Sequence, residues 1–168
     1  MRQLLVQPRL GTFHIRQMVL KPTISNSKQL LPDVAFEEVE HTADCALRIY
    51  GRDLQELLLN AAHAMNSLML TDFIPLSTIE VERSVNLNTL DAESLLVEWL
   101  SELAFWAETE MLVFHKFDME HVSSTQVLST AYGSRVAQLD KHIKAVTYHN
   151  LKISETEVGL SAVVVFDV

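Results

Sequence analysis

The residues best suited to chemistry fall near the ends of predicted strands: His41 and Asp44 at a first corner, Asp140 and His142 ahead of a later strand, His149 within it, and Asp167 beside the last residue. Carboxylates brought from separate strands to one sheet edge form a hard-oxygen site, and Mg²⁺ or Ca²⁺ take carboxylate, carbonyl and water ligands. The plainer reading gives each Asp a turn or strand-end role and each His a hydrogen-bonded or exposed side chain; spacing alone favours it. The run from Lys144 to His149 resists that plainness. As a strand it points Lys144, Val146 and Tyr148 one way and Ala145, Thr147 and His149 the other, so neither face is cleanly apolar. It is either an edge strand guarded by charge against aggregation or a strand whose polar groups line a site.

Several common chemistries leave no trace. There is no glycine-rich phosphate loop, G-x-S-x-G elbow, H-E-x-x-H pair or CxxC. Cys45, the single cysteine, cannot form an internal disulfide or a thiolate zinc cage. Lying in an alternating strand beside Asp44, it reads as a buried structural thiol, and it suggests a reducing, cytoplasmic setting.

The elements that must hold these residues can be read from periodicity and breakers. Val34 to Glu40 and Ala46 to Tyr50 read as short strands around the corner Glu40-His41-Thr42-Ala43-Asp44. Asp53 with Glu56 marks a helix start, followed by Leu54, Leu57, Leu58, Ala61, Met65 and Leu68 at helical spacing. Thr78 to Leu87 alternates as a strand. Asp91 caps a second helix with Leu95, Trp99, Leu103 and Trp106 on its core face. Four strands then follow, Leu112 to Met119, Thr125 to Tyr132, His142 to Ile153 and Val158 to Asp167, with turns expected at Gly133-Ser134, at Asn150 and at Gly159. This order predicts an α+β single domain, two helices packed on a mainly antiparallel or mixed sheet. The closing run, Leu160 to Phe166, is strongly β-forming yet is followed at once by Asp167 and Val168. Chain ends are usually frayed and polar, so this end is either a structural cap or a place where carboxylates are wanted.

Charge narrows the partners. The 168 residues are 48% hydrophobic and 21% charged with a net charge of -9, enough apolar material for one core and a balance that opposes direct binding to phosphate backbones. No run approaches the roughly 18 apolar residues of a membrane span. Residues 1–32 form a basic head with Arg2, Arg9, Arg16, Lys21 and Lys28 and no acid, ended by a breaker-rich stretch; it is a loose extension, an over-long start or a transit peptide. The domain is placed at 33–168. From Ser84 to His115 there are only acids, and Asp91, Glu98 and Glu102 share a helix face that is either solvated or docks on a basic partner.

His41-Thr-Ala-Asp44, Glu98-Trp-Leu-Ser-Glu-Leu103, Lys144-Ala-Val-Thr-Tyr-His149 and the closing Phe166-Asp-Val168, in that order, resemble the archease family over about Ala35 to Val168. The resemblance implies an activator of the RNA ligase RtcB, promoting its GTP-dependent guanylylation and multiple turnover in tRNA splicing or RNA repair, rather than an enzyme. It implies a divalent cation, Ca²⁺ or Mg²⁺/Mn²⁺, held by Asp44, Asp167 and Val168, with Lys144 as a second functional position. His41, Asp140, His142 and His149 are further motif members. Two departures stand out: a short loop between Asp140 and Lys144, and Asn150 where the family usually has Gly, a position Asn can fill because it tolerates a left-handed backbone. The rival expectation is a free-standing metal-dependent phosphohydrolase or nucleotidyl-transfer enzyme using the same aspartates with His41 or His149 as acid or base.

Overall fold

Alternation and capping produce, in chain order, β1 (Phe36–Val39), β2 (Cys45–Gly51), α1 (Leu54–Met69), β3 (Val81–Asn88), α2 (Ala92–Glu110), β4 (Leu112–Val122), β5 (Gln126–Arg135), β6 (Ala145–Thr147), β7 (Ser154–Thr156) and β8 (Gly159–Asp167). These come from a computed structural model, which describes residues 35–40 and 45–168. The basic head, His41 and Asp44 lie outside the described residues.

Both helices begin where their acids predict. Asp53 accepts the Glu56 amide at 2.8 Å and Asp91 accepts the Ser94 amide at 2.7 Å, each satisfying a donor that the first helical turn leaves orphaned. Glu56 returns the favour one residue further out than a standard capping box, taking the Arg52 amide at 2.6 Å. α2 ends on Met111, whose left-handed φ of 52° turns the chain directly into β4.

The class is the expected α+β, with the strands divided into two antiparallel sheets. One has the order β1-β2-β8-β6 with β7 also on β8; the other is β3-β5-β4. α1 packs on β2 and β4, α2 on β4 and β6, and the helices pack on each other, so the helix pair bridges the sheets. Leu57, Met65, Leu96, Trp99, Phe114 and Phe166 are among the fully buried side chains at this junction, each contributing about 2–3 kcal/mol by leaving water. Trp99 is also tied down as a hydrogen-bond donor, its Nε1 giving to Leu58 O on α1 at 3.0 Å.

Three expected boundaries move. β3 starts at Val81, and Ile79 stands outside it, 74% exposed. The turn expected at Gly133-Ser134 is continuous strand, because β5 is paired on both sides there. The glycine serves close approach instead: a Cβ on Gly133 would lie 2.5 Å from Val113 O. Of the single strand expected from His142 to Ile153 only β6 forms, opposite Val165–Asp167, and a second short strand on the same edge of β8, β7, begins after Ile153 opposite Gly159–Ser161. Between them the chain leaves the edge through Asn150, whose φ of 52° is the left-handed backbone expected of it. The turn expected near Gly159 is the β7–β8 hairpin, with Gly159 at φ 142°.

Candidate functional site

β8 owes its position at the centre of its sheet to its composition. Val164, Val165 and Phe166 are buried, while Asp167 at the strand end is exposed. β2 pairs along one side of β8 up to Cys45 opposite Phe166. On the other side Lys144 leads into β6: its amide donates to Asp167 O at 2.8 Å, and Ala145 pairs with Asp167. The Lys144 side chain then reaches past the strand end, and its Nζ donates to the main-chain oxygen of Val168 at 2.8 Å. Lys144, Asp167 and Val168 are thus brought together by one ladder, in which the same residue supplies both a backbone and a side-chain contact.

The loop before Lys144 is held from three directions. Asp140 turns toward the end of α1: its carboxylate accepts the Thr71 amide at 2.7 Å, and its own amide donates to Met69 O at 2.8 Å. The Thr71 backbone amide, and after it the Thr71 side chain, hold the Asp140 carboxyl below the usual carboxylate range. Lys141 Nζ lies 3.1 Å from Cys45 Sγ at the start of β2. His142 turns toward α2, its Nδ1 2.7 Å from Glu108 Oε2, and the other Glu108 oxygen accepts the Ile143 amide at 2.8 Å. His149 sits beyond β6 on the segment that leaves the edge; its amide donates to Thr147 Oγ1 at 3.3 Å and its Nε2 lies 3.1 Å from Asn150 Nδ2. A shallow cleft of about 230 Å³ beside Lys144 is lined by Phe105, Glu108, Ile143 and Val146.

Sequence comparison supplies the lineage of this arrangement. The archease protein family matches residues 36–168. The chain belongs to the archease family. Archeases of Methanosarcina mazei and Methanosarcina barkeri are 38% and 35% identical to it, each match covering 79% of this chain and 95% of the relative. The solution structure of protein 1598 of Methanobacterium thermoautotrophicum superposes with a TM-score of 0.63 at 31% identity, covering 80% of this chain and 99% of that one. A crystal structure of a Thermotoga maritima archease, described as a possible chaperone, shares the fold with a TM-score of 0.59 at 22% identity, covering 79% of this chain and 96% of that one.

Within this archease domain, the donor set at the end of β8 has the right chemistry for a hard cation. An exposed Asp167 carboxylate and the Val168 main-chain oxygen are both hard ligands. An oxygen carries more than one lone pair, so the hydrogen bond from Lys144 does not consume Val168 as a donor. Among the described residues no group of three or more His, Cys, Asp or Glu is arranged to hold a metal. Asp44, the expected third protein ligand, immediately precedes Cys45 in the chain and lies outside the described residues, as does His41.

Two contributors escaped the sequence reading. Glu108 on α2 and Lys141 in the loop owe their roles to partners 34 and 96 positions away, and no local pattern marks either. Cys45 is half-buried and lies against the Lys141 ammonium, rather than fully buried as its alternation suggested.

Proposed function

We propose that this protein is an accessory activator of the GTP-dependent RNA ligase RtcB, assisting its guanylylation and turnover in tRNA splicing or RNA repair in a reducing, cytoplasmic setting. The observation that carries the reading is the clasp at the end of β8, where the Lys144 cation and the Asp167 and Val168 oxygens are presented together by one backbone ladder. It has company in the family membership and in the acid balance, which favours a basic protein partner over direct contact with RNA.

Guanylylation joins a ligase nucleophile to the α-phosphate of GTP and expels pyrophosphate, so its demands are alignment and neutralisation of phosphate charge. A divalent cation, when bound, supplies that neutralisation and orients oxygens. Asp167 and Val168, with Asp44, would hold it, and Ca²⁺, Mg²⁺ and Mn²⁺ all suit oxygen donors. Lys144 would place a positive point charge against a phosphate or a ligase carboxylate. Glu108 and Asp140 fix the loop that aims it, and His142 contributes through Glu108. The protein thereby adds ligands and charge at a partner's active-site mouth while the partner performs the bond-making step.

The decisive experiment is guanylylation of the cognate RtcB with and without a substoichiometric amount of this protein. Stimulation beyond one equivalent, lost in Lys144→Ala and Asp167→Ala, is expected. Hydrolysis of GTP or of a phosphate ester by the protein alone would instead favour the free-standing enzyme. The metal half is tested by calorimetric titration with Ca²⁺, Mg²⁺ and Mn²⁺; binding unchanged in the double variant Asp44→Ala/Asp167→Ala would refute it.

A further inference from the structure

Residues 71–80 connect α1 to β3 and carry an apolar surface that the site described above does not use. Phe73 is 40% exposed, Ile74 71%, Leu76 65% and Ile79 74%. They are four of the seven large hydrophobic residues exposed among the described residues, the others being the scattered Leu90, Phe105 and Tyr148. Single exposed apolar residues are ordinary, but Ile74 and Leu76 line one cleft together, and apolar residues sharing a surface mark an interaction site.

This connection is pinned along its length. The Thr71 amide is held by the Asp140 carboxylate at 2.7 Å. Pro75 bridges to Val136, and the Leu76 amide donates to Arg135 O at 2.8 Å. A surface pinned in this way has already surrendered much of the conformational entropy that docking would cost it. Beneath it lies a cleft of about 360 Å³ lined by Leu70, Ile74, Leu76, Val136 and Asp140. The volume and lining suit an apolar side chain, and Asp72 and Asp140 put carboxylates on the same cleft.

Charge selects the occupant. Asp72 and Asp140 line the cleft and Glu80 follows Ile79, while Arg135, whose carbonyl holds the Leu76 amide, has its guanidinium engaged by Glu110. A surface that is apolar at its centre and acidic around it complements an apolar residue set among Lys and Arg, which is the character of a protein face built to hold RNA phosphates. Location points the same way. Asp140 anchors this connection and opens the loop that ends at Lys144, and Lys141 and Lys144 tie that loop to Cys45 and to Val168.

We propose that residues 73–79 and the cleft below them are a docking surface for the basic face of the same RNA ligase, a second contact that holds the Lys144–Asp167 clasp at its target; this rests on the function proposed above. The test is titration of labelled cognate RtcB with the wild-type protein, with Ile74→Ser/Leu76→Ser and with Ile79→Lys, each checked for folding by thermal melting. Because the replaced side chains are exposed, melting is expected to change little, while the dissociation constant rises about tenfold or more and Ca²⁺ titration is unaltered. Wild-type binding with unchanged affinity in both variants would overturn the docking surface and leave the proposed function standing. Failure of the wild type to bind RtcB would overturn the proposed function and the docking surface with it. Sedimentation showing that the wild type self-associates and the variants do not would overturn the choice of occupant in favour of a second copy.

Discussion

Replacing Glu108 with alanine should loosen the loop that aims Lys144 without touching any proposed ligand. Glu108 spans two donors: Oε1 takes the Ile143 amide at 2.8 Å and Oε2 lies 2.7 Å from His142 Nδ1. The amide bond dominates the energetics. Ile143 is 3% exposed, and stripping a charged acceptor from a part-buried amide costs about 1.5–2 kcal/mol. The His142 contact adds little, since its side chain is 61% exposed and exposed pairs are worth about 0–1 kcal/mol. The sum, about 2 kcal/mol, corresponds to a fall in melting temperature of about 5–8 °C for a domain of this size. Glu108→Gln keeps one carbonyl oxygen for the Ile143 amide and should lose about half as much. Thermal melting followed by hydrogen exchange at Ile143 and Lys144 reads both consequences: faster exchange at these two amides and a matching loss of ligase stimulation. A Glu108→Ala protein that melts like the wild type and protects both amides equally would refute the positioning role.

The remaining expectations concern charge and packing. Asp140→Asn should destabilise at neutral pH and progressively less on acidification: the folded carboxyl lies below its ordinary value because of Thr71, so its contribution is present above the unfolded carboxylate pKa and is lost as pH falls through the lowered folded one, below about pH 4. Urea midpoints of both proteins at pH 7 and pH 3 measure this, and a constant difference between them would contradict it. Gly133→Ala should cost about 1–3 kcal/mol, because the new methyl would meet Val113 O at 2.5 Å and the clash is with backbone; a denaturation midpoint equal to the wild type would refute it. At the proposed cation site Lys144→Met removes a positive charge 2.8 Å from Val168 O. Two charges against one at about 5 Å in water amount to about 1.7 kcal/mol, so Mn²⁺ affinity at low salt should rise about tenfold while ligase stimulation falls; unchanged Mn²⁺ affinity would separate Lys144 from the site.

Elements governed by near neighbours were legible, and those governed by distant partners were not. Asp53 and Asp91 cap helices over three residues, and both helices begin just after them. The buried run of β8, Val164 to Phe166, is recognisable because it needs only apolar surroundings. Gly133 was misread because a glycine in a strand and a glycine in a turn look alike until β3 and β4 close on either side of it. The composition from His142 to Ile153 is strand-like throughout, which is why a single strand is expected there. Pairing stops at Thr147, and beyond it Glu93, on α2, takes the Ile153 amide at 3.0 Å in place of a strand partner.

The same division runs through the site. Motif order and residue type sufficed to assign the archease family, and they name Lys144, Asp167 and Val168 as candidates, because the chemistry of a side chain belongs to its covalent structure. Which of the motif residues share a place is a different matter. The β6–β8 register set Lys144 against Asp167 and Val168, whereas Asp140 went to the end of α1 and His142 to Glu108 on α2. Nor could composition separate the pinned apolar surface at 73–79 from core, since Ile74 and Leu76 differ from buried residues only in where the fold leaves them. Side-chain type is local, but register, burial and hydrogen-bond partnership are settled among residues far apart in the chain, and only tertiary packing decides them.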